Sequence, residues 1–185
     1  MGKLYQETHN YITNISPGSI FVEIGSDRYE GSTEYFGTLA KQYNTQLYTV
    51  DIDNQIQHRL TTRLPELANT IQFVVADGSE WSKTFDKSIS VLYLDNFDYD
   101  WNVNEKSLMI ENQKKLYREQ YNIDMNNINC QKTHLQQMIN LLPLMSKQSV
   151  IVCDDTHRWN DCFVGKCGAV IPYLLLAGYI IHNEK

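Results

Sequence analysis

"SIFVEIGSDRYEGSTEYF", residues 19–36, begins with an apolar run too short for a helix and ends where a helical pattern starts. Ile20, Phe21, Val22 and Ile24 are nearly contiguous, the habit of a strand covered on both faces rather than of an amphipathic one. Glu23 closes that strand, Gly25 and Gly31 bracket a turn, and Ser32 or Thr33 starts a helical pattern over residues 32–43. Glycines at such a turn let backbone amides come close to a ligand near a helix N-terminus.

The same short apolar run recurs in "QLYTVDID" (46–53), "IQFVVADG" (71–78) and "SVLYLDN" (90–96), and again after a long polar interval in "SVIVCDD" (149–155). Helical patterns lie between them at 32–43, at 54–67 and in "THLQQMINLLPLM" (133–145), where Leu135, Met138, Leu141 and Leu142 share a face. Strand and helix in alternation predict an α/β fold: a doubly wound, mostly parallel sheet with helices on both faces. In such sheets ligands bind outside the carboxyl ends of the strands, so the acid-bearing strand ends should gather on one rim. The interval 101–133 is rich in Asn, Gln and Lys, with Tyr117 and Tyr121 at helical spacing, and reads as a polar helical insertion after the fourth strand. It is either a solvated helix with an Asn-rich tether or a lid over the crevice. Residues 1–185 otherwise read as one domain.

A net charge of −6 gives no general electrostatic reason to bind phosphate backbones, which disfavours nucleic acid as a partner. The N-terminal "MGKLYQETHNYITNI" has no apolar core of a leader, and Cys130, Cys153, Cys162 and Cys167 require no disulfides, so a reduced, cytoplasmic setting is expected. Apolar runs such as "AVIPYLLLAGYII" are too short to span a bilayer and carry Pro and Gly, so no membrane partner is expected. The expected partner is a small-molecule substrate, with a homo-oligomer left open.

The rim acids narrow the chemistry. Gly25 and Gly31 are too far apart for the Gly-x-Gly-x-x-Gly of dinucleotide enzymes, where close glycines seat a pyrophosphate on the helix. A strand-ending Glu23 suits a ligand with an ammonium group, Asp51 can accept both hydroxyls of a ribose, and Asp77 is placed to meet an adenine edge. Each acid alone also reads as a cap or turn residue; three in this order are a stronger signal.

Residues 23–36, Asp51 and residues 76–81 resemble the successive cofactor motifs of class I S-adenosylmethionine-dependent methyltransferases. The resemblance implies a Rossmann-like fold, with Glu23, Gly25, Ser26, Gly31 and Thr33 around the methionine portion of the cofactor. It implies Asp51 at the ribose, and Asp77, Gly78, Ser79 and Trp81 along the adenine. The turn is longer than the family's usual glycine loop, which leaves open which of Ser26, Asp27 and Arg28 touches the cofactor. The metal-dependent small-molecule O-methyltransferases of this class carry one Asp after the fourth strand and an acidic pair after the fifth. Asp95, Asp154 and Asp155 resemble that set, which implies a magnesium ion beside the methyl donor. "DDTHRWNDCFVGKCGAVIPYLLLAGY" (154–179) resembles the segment in which such a pair leads through a Gly-Lys-Gly-like turn into the last helix, here with Cys167 before Gly168. The implied activity is metal-assisted O-methylation of a hydroxylated small molecule.

One departure bears on catalysis: three residues after Asp95 the family tends to place a Lys or His, and this chain has Asp98. A carboxylate beside a cation is a poor proton acceptor unless the metal has already acidified the hydroxyl. Asp98 is then a metal-aided weak base or a fourth ligand, or His157 takes the proton. Cys153, His157, Cys162 and Cys167 have a spacing that could fold round zinc, disfavoured because Cys153 lies inside a strand. Two alternatives stand beside the enzyme. One is a protein that binds S-adenosylmethionine without transferring methyl, suggested by Asp98 and by an end at "YIIHNEK" where the family adds a closing strand. The other is an NAD-dependent oxidoreductase, disfavoured by the glycine spacing.

Overall fold

The computed structural model describes residues 4–27, 29–101 and 108–184; Arg28 and positions 102–107 of the insertion lie outside them. The chain divides into two compact units, residues 1–96 with 137–154 and residues 97–136 with 155–185.

The first unit is built on five parallel strands, β1 (Ile20–Ile24), β2 (Leu47–Asp51), β3 (Ile71–Val75), β4 (Ile89–Leu94) and β5 (Met145–Cys153), in the order β3-β2-β1-β4-β5. Their registers align Ile71, Leu47, Phe21, Val91 and Val150 in one row across the sheet. Two residues further on, and so on the same face, Phe73, Thr49, Glu23, Tyr93 and Val152 form a second row. Helix α1 (Ser32–Gln42) and helix α2 (Asn54–Arg63) cover this face with Phe36, Leu39, Ala40, Ile56 and Leu60. Tyr5, from a short 3-10 helix (Leu4–Asn10), packs its ring on Tyr35, Phe36 and Tyr93. Each large apolar side chain so buried contributes about 1.5 to 3 kcal/mol on leaving water.

Ile24, one residue from Glu23, faces the other way and meets Gly78 at the start of α3 (Gly78–Thr84). The end of α5 (Asn127–Leu141) lies on the same side: Asn140 donates to the Ser82 hydroxyl of α3 at 2.9 Å. Helices therefore cover both faces, in the mostly parallel α/β arrangement expected. Burial on both sides holds for β1 and β4, whose residues are all buried, but not for β3. That strand is at the sheet edge and leaves Val75 exposed.

The second unit contains α4 (Leu108–Tyr121), the first part of α5, an antiparallel hairpin of β6 (Thr156–Trp159) and β7 (Cys162–Gly165), and α6 (Val170–Leu176). The described part of the insertion is thus helical. Two acids from "DNFDYD" fasten α4: Asp98 accepts from Gln113 Nε2 at 2.8 Å and from Tyr117 Oη at 3.1 Å, and Asp100 accepts from Lys114 Nζ at 3.2 Å. Gln113, Lys114 and Tyr117 fall within one turn of the helix, so a single side of α4 meets both acids. Among the described residues no helix is long and apolar enough to cross a membrane.

Glu23 ties the first unit together. It is wholly buried, and its carboxylate accepts hydrogen bonds at 2.6 Å from the hydroxyls of Ser32 and Thr33 in α1 and of Thr49 in β2. Thr49 is its register partner on the neighbouring strand, and Ser32 and Thr33 open the helix that lies over it. Burial raises its pKa from 4.5 to about 7, against the opposing effect of the three hydroxyls and with a further push from Asp27.

Gly25 follows at φ +96°, and a Cβ there would lie 2.4 Å from the backbone nitrogen of Asn96. Left-handed backbone and the absence of room coincide, so only glycine lets β1 end beside the segment after β4. Gly25→Ala should destabilise the protein by more than about 2 kcal/mol. Urea unfolding measures this, and a variant within 0.5 kcal/mol (roughly the scatter of a neutral surface change) would show that the turn relaxes freely.

Glu23 also makes stability depend on pH. Because its folded pKa is raised, the folded chain holds the proton more tightly than the unfolded one, and stability falls as pH climbs from 4.5 through about 7. The loss attributable to this carboxyl is about 3 kcal/mol. Glu23→Gln cannot ionise and should escape it, so the stability of the variant relative to the parent should rise across that interval. A difference that stays constant with pH would mean that the buried carboxyl titrates normally.

Candidate functional site

The carboxyl ends of β1 and β4 are adjacent in the sheet, and from them the connections run in opposite directions, β2 and β3 lying to one side and β5 to the other. That is the topological switch point, where open α/β sheets leave a crevice. At this point Gly25 closes on Asn96, whose buried Oδ1 has no hydrogen-bond partner among the described residues.

The expected cofactor residues of the first unit divide into those turned inward and those at the rim. Glu23 and Thr33 are turned inward: both are wholly buried and bonded to each other, with the Thr33 hydroxyl also accepting from the backbone N–H of Asp27 at 2.9 Å. Glu23 thus sits one residue inside the end of β1, with its carboxylate under α1. Gly31, at φ +91°, is the N-cap residue of α1. Asp27 pairs with Arg63 and accepts from the backbone of Glu30, and together with the Gly31 N–H these contacts hold its carboxyl below the usual range despite burial. The long turn is therefore folded around Asp27 and held by α2, which is why it needs more residues than a plain glycine loop.

At the rim, Asp51 ends β2 half-buried, with Oδ2 accepting from the Ser26 N–H at 3.1 Å and Oδ1 from the Asp53 N–H at 2.8 Å. These bonds lock its carboxylate in orientation beside the Gly25 turn. The Ser26 hydroxyl pairs with that of Thr49 at 2.7 Å. Asp77 is the N-cap of α3: its Oδ1 accepts from the N–H groups of Ser79 at 2.8 Å and Glu80 at 3.0 Å. Gly78 lies against Ile24, and the Trp81 ring packs on Phe85 at 4.4 Å.

Asp95 and Asp154 follow β4 and β5, which are neighbours. The Asp154 N–H donates to the Leu94 carbonyl at 3.1 Å, and carboxylate oxygens of the two acids lie within 4.8 Å. Tyr93 donates to Asp95 Oδ2 at 3.0 Å. Burial, then the charges of Asp95, Asp154 and Glu23, push the Tyr93 phenol far above its ordinary pKa, so it stays a donor.

Asp155, next in the chain, adopts φ +43°, and its carboxylate pairs with the nearly buried Lys166 ammonium at 3.2 Å. Asp98, as described, is bonded to Gln113 and Tyr117. His157 stacks on Trp101, ring centroids 4.9 Å apart. In the hairpin His157 is in register with Val164 and Cys162 with Trp159, while Cys167 is buried and Cys162 exposed. Arg158 pairs with Glu184.

Two residues of the first unit escaped the sequence reading. Thr49 reads as one more strand residue, and its hydroxyl donates to Glu23. Gln137 carries no apolar signal: periodicity turns Leu135, Met138, Leu141 and Leu142 inward, whereas the buried positions of α5 are Cys130, His134, Gln137, Met138 and Leu141. The stripe keeps helical spacing, yet two of its members are polar and carry no hydropathy signal.

No protein-family model matches the chain, and no curated protein matches it in sequence. Its fold does recur in solved structures. A candidate rRNA-methylase of Clostridium thermocellum aligns with a TM-score of 0.55 at 11% identity, over 98% of this chain and 84% of that one. An rRNA methylase of Streptococcus thermophilus aligns at 0.53 and 12% identity, over 95% and 80% respectively. A Corynebacterium glutamicum protein aligns at 0.51 and 11% identity over 82% of this chain, which spans little more than half, 56%, of that protein's length. At such identities the likeness is one of fold, and the fold is the Rossmann-like α/β arrangement that these methylases share.

Proposed function

We propose that this protein binds S-adenosylmethionine at the switch point and transfers its methyl group to an acceptor. The observation that carries the reading is the sequence of groups at the ends of β1, β2 and β3: a glycine with no room for a side chain, a carboxylate locked in orientation, and a second glycine seated against a buried amide. Each fits one portion of an adenosyl ligand. Gly25 allows the chain to approach closely, and the Oδ1 of Asn96 beside it, without a partner among the described residues, is an acceptor suited to an ammonium group. Asp51, oriented by two backbone N–H groups, stands at the end of β2, where a carboxylate can accept from a diol. Gly78 and Ser79 lie where a flat heterocycle can rest on backbone. When bound, the donor supplies a methyl group on a positively charged sulfur. The chain's task is then to hold donor and acceptor in line and to exclude water. The methylases that share the fold support this reading.

The finer reading is metal-assisted O-methylation of a hydroxylated small molecule. Asp95 and Asp154 would hold a hard divalent cation such as Mg²⁺, with Asp155 next in the chain, and oxygen ligands of this kind suit such an ion. When bound, the cation would lower the pKa of the acceptor hydroxyl. Asp98 is engaged by Gln113 and Tyr117, so loss of the proton would rest on the cation having acidified the hydroxyl enough for solvent to take it. The fold's rRNA-methylase examples raise a polynucleotide acceptor, against which the net charge of −6 weighs. The engagement of Asp98 also favours a second reading, binding of the adenosyl ligand without transfer. The glycine spacing weighs against NAD.

Calorimetry with S-adenosylhomocysteine tests the core of the proposal. Asp51→Ala removes a charged acceptor of two hydroxyls and should weaken binding by about 2 to 4 kcal/mol. Equal affinity in parent and variant, or binding of NAD in place of the adenosyl ligand, would overturn it. The metal is tested by melting. Millimolar Mg²⁺ or Mn²⁺ should raise the melting temperature of the parent, as a ligand of the folded state does. Asp154→Asn should abolish that rise while leaving S-adenosylhomocysteine affinity nearly unchanged. Indifference of the parent to both ions would remove the metal and leave the binding reading.

A further inference from the structure

Gln137 is wholly buried on α5, yet neither Oε1 nor Nε2 of its amide has a hydrogen-bond partner among the described residues. A buried primary amide left unbonded is costly, and a Leu or Met would fill the same space without that cost. The amide's neighbour is specific. A Cβ at residue 78 would lie 2.9 Å from Gln137 Nε2 and 2.5 Å from Ile24 Cγ2, so glycine at that position is what leaves room for the amide beside the chain after β3. Asp77, the sequence-expected reader of the base, spends Oδ1 on capping α3. The amide and the glycine thus lie against each other between the ends of β1 and β3, with the donor and acceptor of Gln137 side by side.

We infer that Gln137 reads the heterocycle of the ligand and selects adenine. An amide offers one N–H and one C=O in the plane of a single group. Its complement is an edge with a ring nitrogen that accepts beside an exocyclic amine that donates, the pairing by which Gln recognises adenine. Nε2 would donate to the ring nitrogen and Oε1 accept from the 6-amino group. This assigns base selectivity to a helix in the return segment rather than to the strand-end acid, and it rests on the adenosyl-donor reading above.

The test uses S-adenosylhomocysteine and its 6-desamino analogue, which lacks only the amine. In calorimetry the parent should prefer the amine-bearing ligand by about tenfold or more, since its absence strands the buried Oε1. Gln137→Met, close in volume, should bind S-adenosylhomocysteine at least about tenfold more weakly and should lose the preference. The ligand-free variant should melt no lower than the parent, because it sheds an unbonded amide. Gln137→Glu, which keeps acceptor oxygens but loses the N–H, should also bind more weakly. A parent that binds both ligands equally overturns the inference without any variant, as does a Met variant that keeps both affinity and preference. Either result leaves the donor reading standing, whereas a parent that binds neither ligand ends both.

Discussion

A carboxylate with no exposure to water sets the terms for the rest of the first unit. Glu23 lies in the middle of the sheet, and burying its charge would be prohibitive without the hydroxyls of Ser32, Thr33 and Thr49. Those hydroxyls come from the neighbouring strand and from the first turn of the covering helix. Satisfying one acid therefore fixes the register of β2 on β1 and the place where α1 begins. It also fixes the turn between, because Thr33 accepts from Asp27 and Thr49 pairs with Ser26. The ends of β1 and β2, and with them Gly25 and Asp51, are positioned by a network that no ligand need touch.

The acids after β4 divide between two tasks. Asp95 stays with the sheet, held by Tyr93, while Asp98 and Asp100 leave it to grip α4 through Gln113, Tyr117 and Lys114. A single run of sequence thus closes a strand and anchors a polar helix whose own aliphatic content is small. Its exposed Leu108 and Met109 show how little of α4 is held by apolar burial.

The strands, their order of acids and the two faces of helix were legible because hydrophobic runs and the glycines between them are local signals. Gly25 could be read as a turn residue, and the structure adds that its missing side chain is also what admits Asn96. What the sequence concealed is the behaviour of polar residues in buried places. Glu23 reads as a strand end but lies one residue inside it, since hydroxyls from two other stretches of the chain, Ser32–Thr33 and Thr49, make its burial tolerable. Gln137 is invisible to hydropathy for the same reason. The hairpin of β6 and β7 was hidden inside "THRWNDCFVG", whose turn at Asn160 uses a positive φ without the usual glycine. Asp155 reads as a ligand of a cation; that it also pairs with Lys166 is not legible in the sequence, because Lys166 is nearly buried, a rare place for an ammonium.

The electrostatics of the first unit follow from how its acids are satisfied. Glu23 is held by hydroxyl donors and a pKa near 7, and Asp95 by a phenol that does not ionise. Asp51 and Asp77 accept from backbone N–H groups. Such partners orient a carboxylate and meet its lone pairs without cancelling its charge. The ion pair of Asp27 with Arg63 is different in kind, since there a full positive charge faces the acid at the base of the turn. Carboxylates gathered at strand ends set up a negative local field wherever no cation faces them. Such a field favours a ligand that brings the acids a positive charge, as an ammonium or sulfonium does, or hydroxyls that donate, as a sugar diol does. A phosphate-bearing dinucleotide would meet the same field as repulsion, which gives the glycine spacing an electrostatic counterpart.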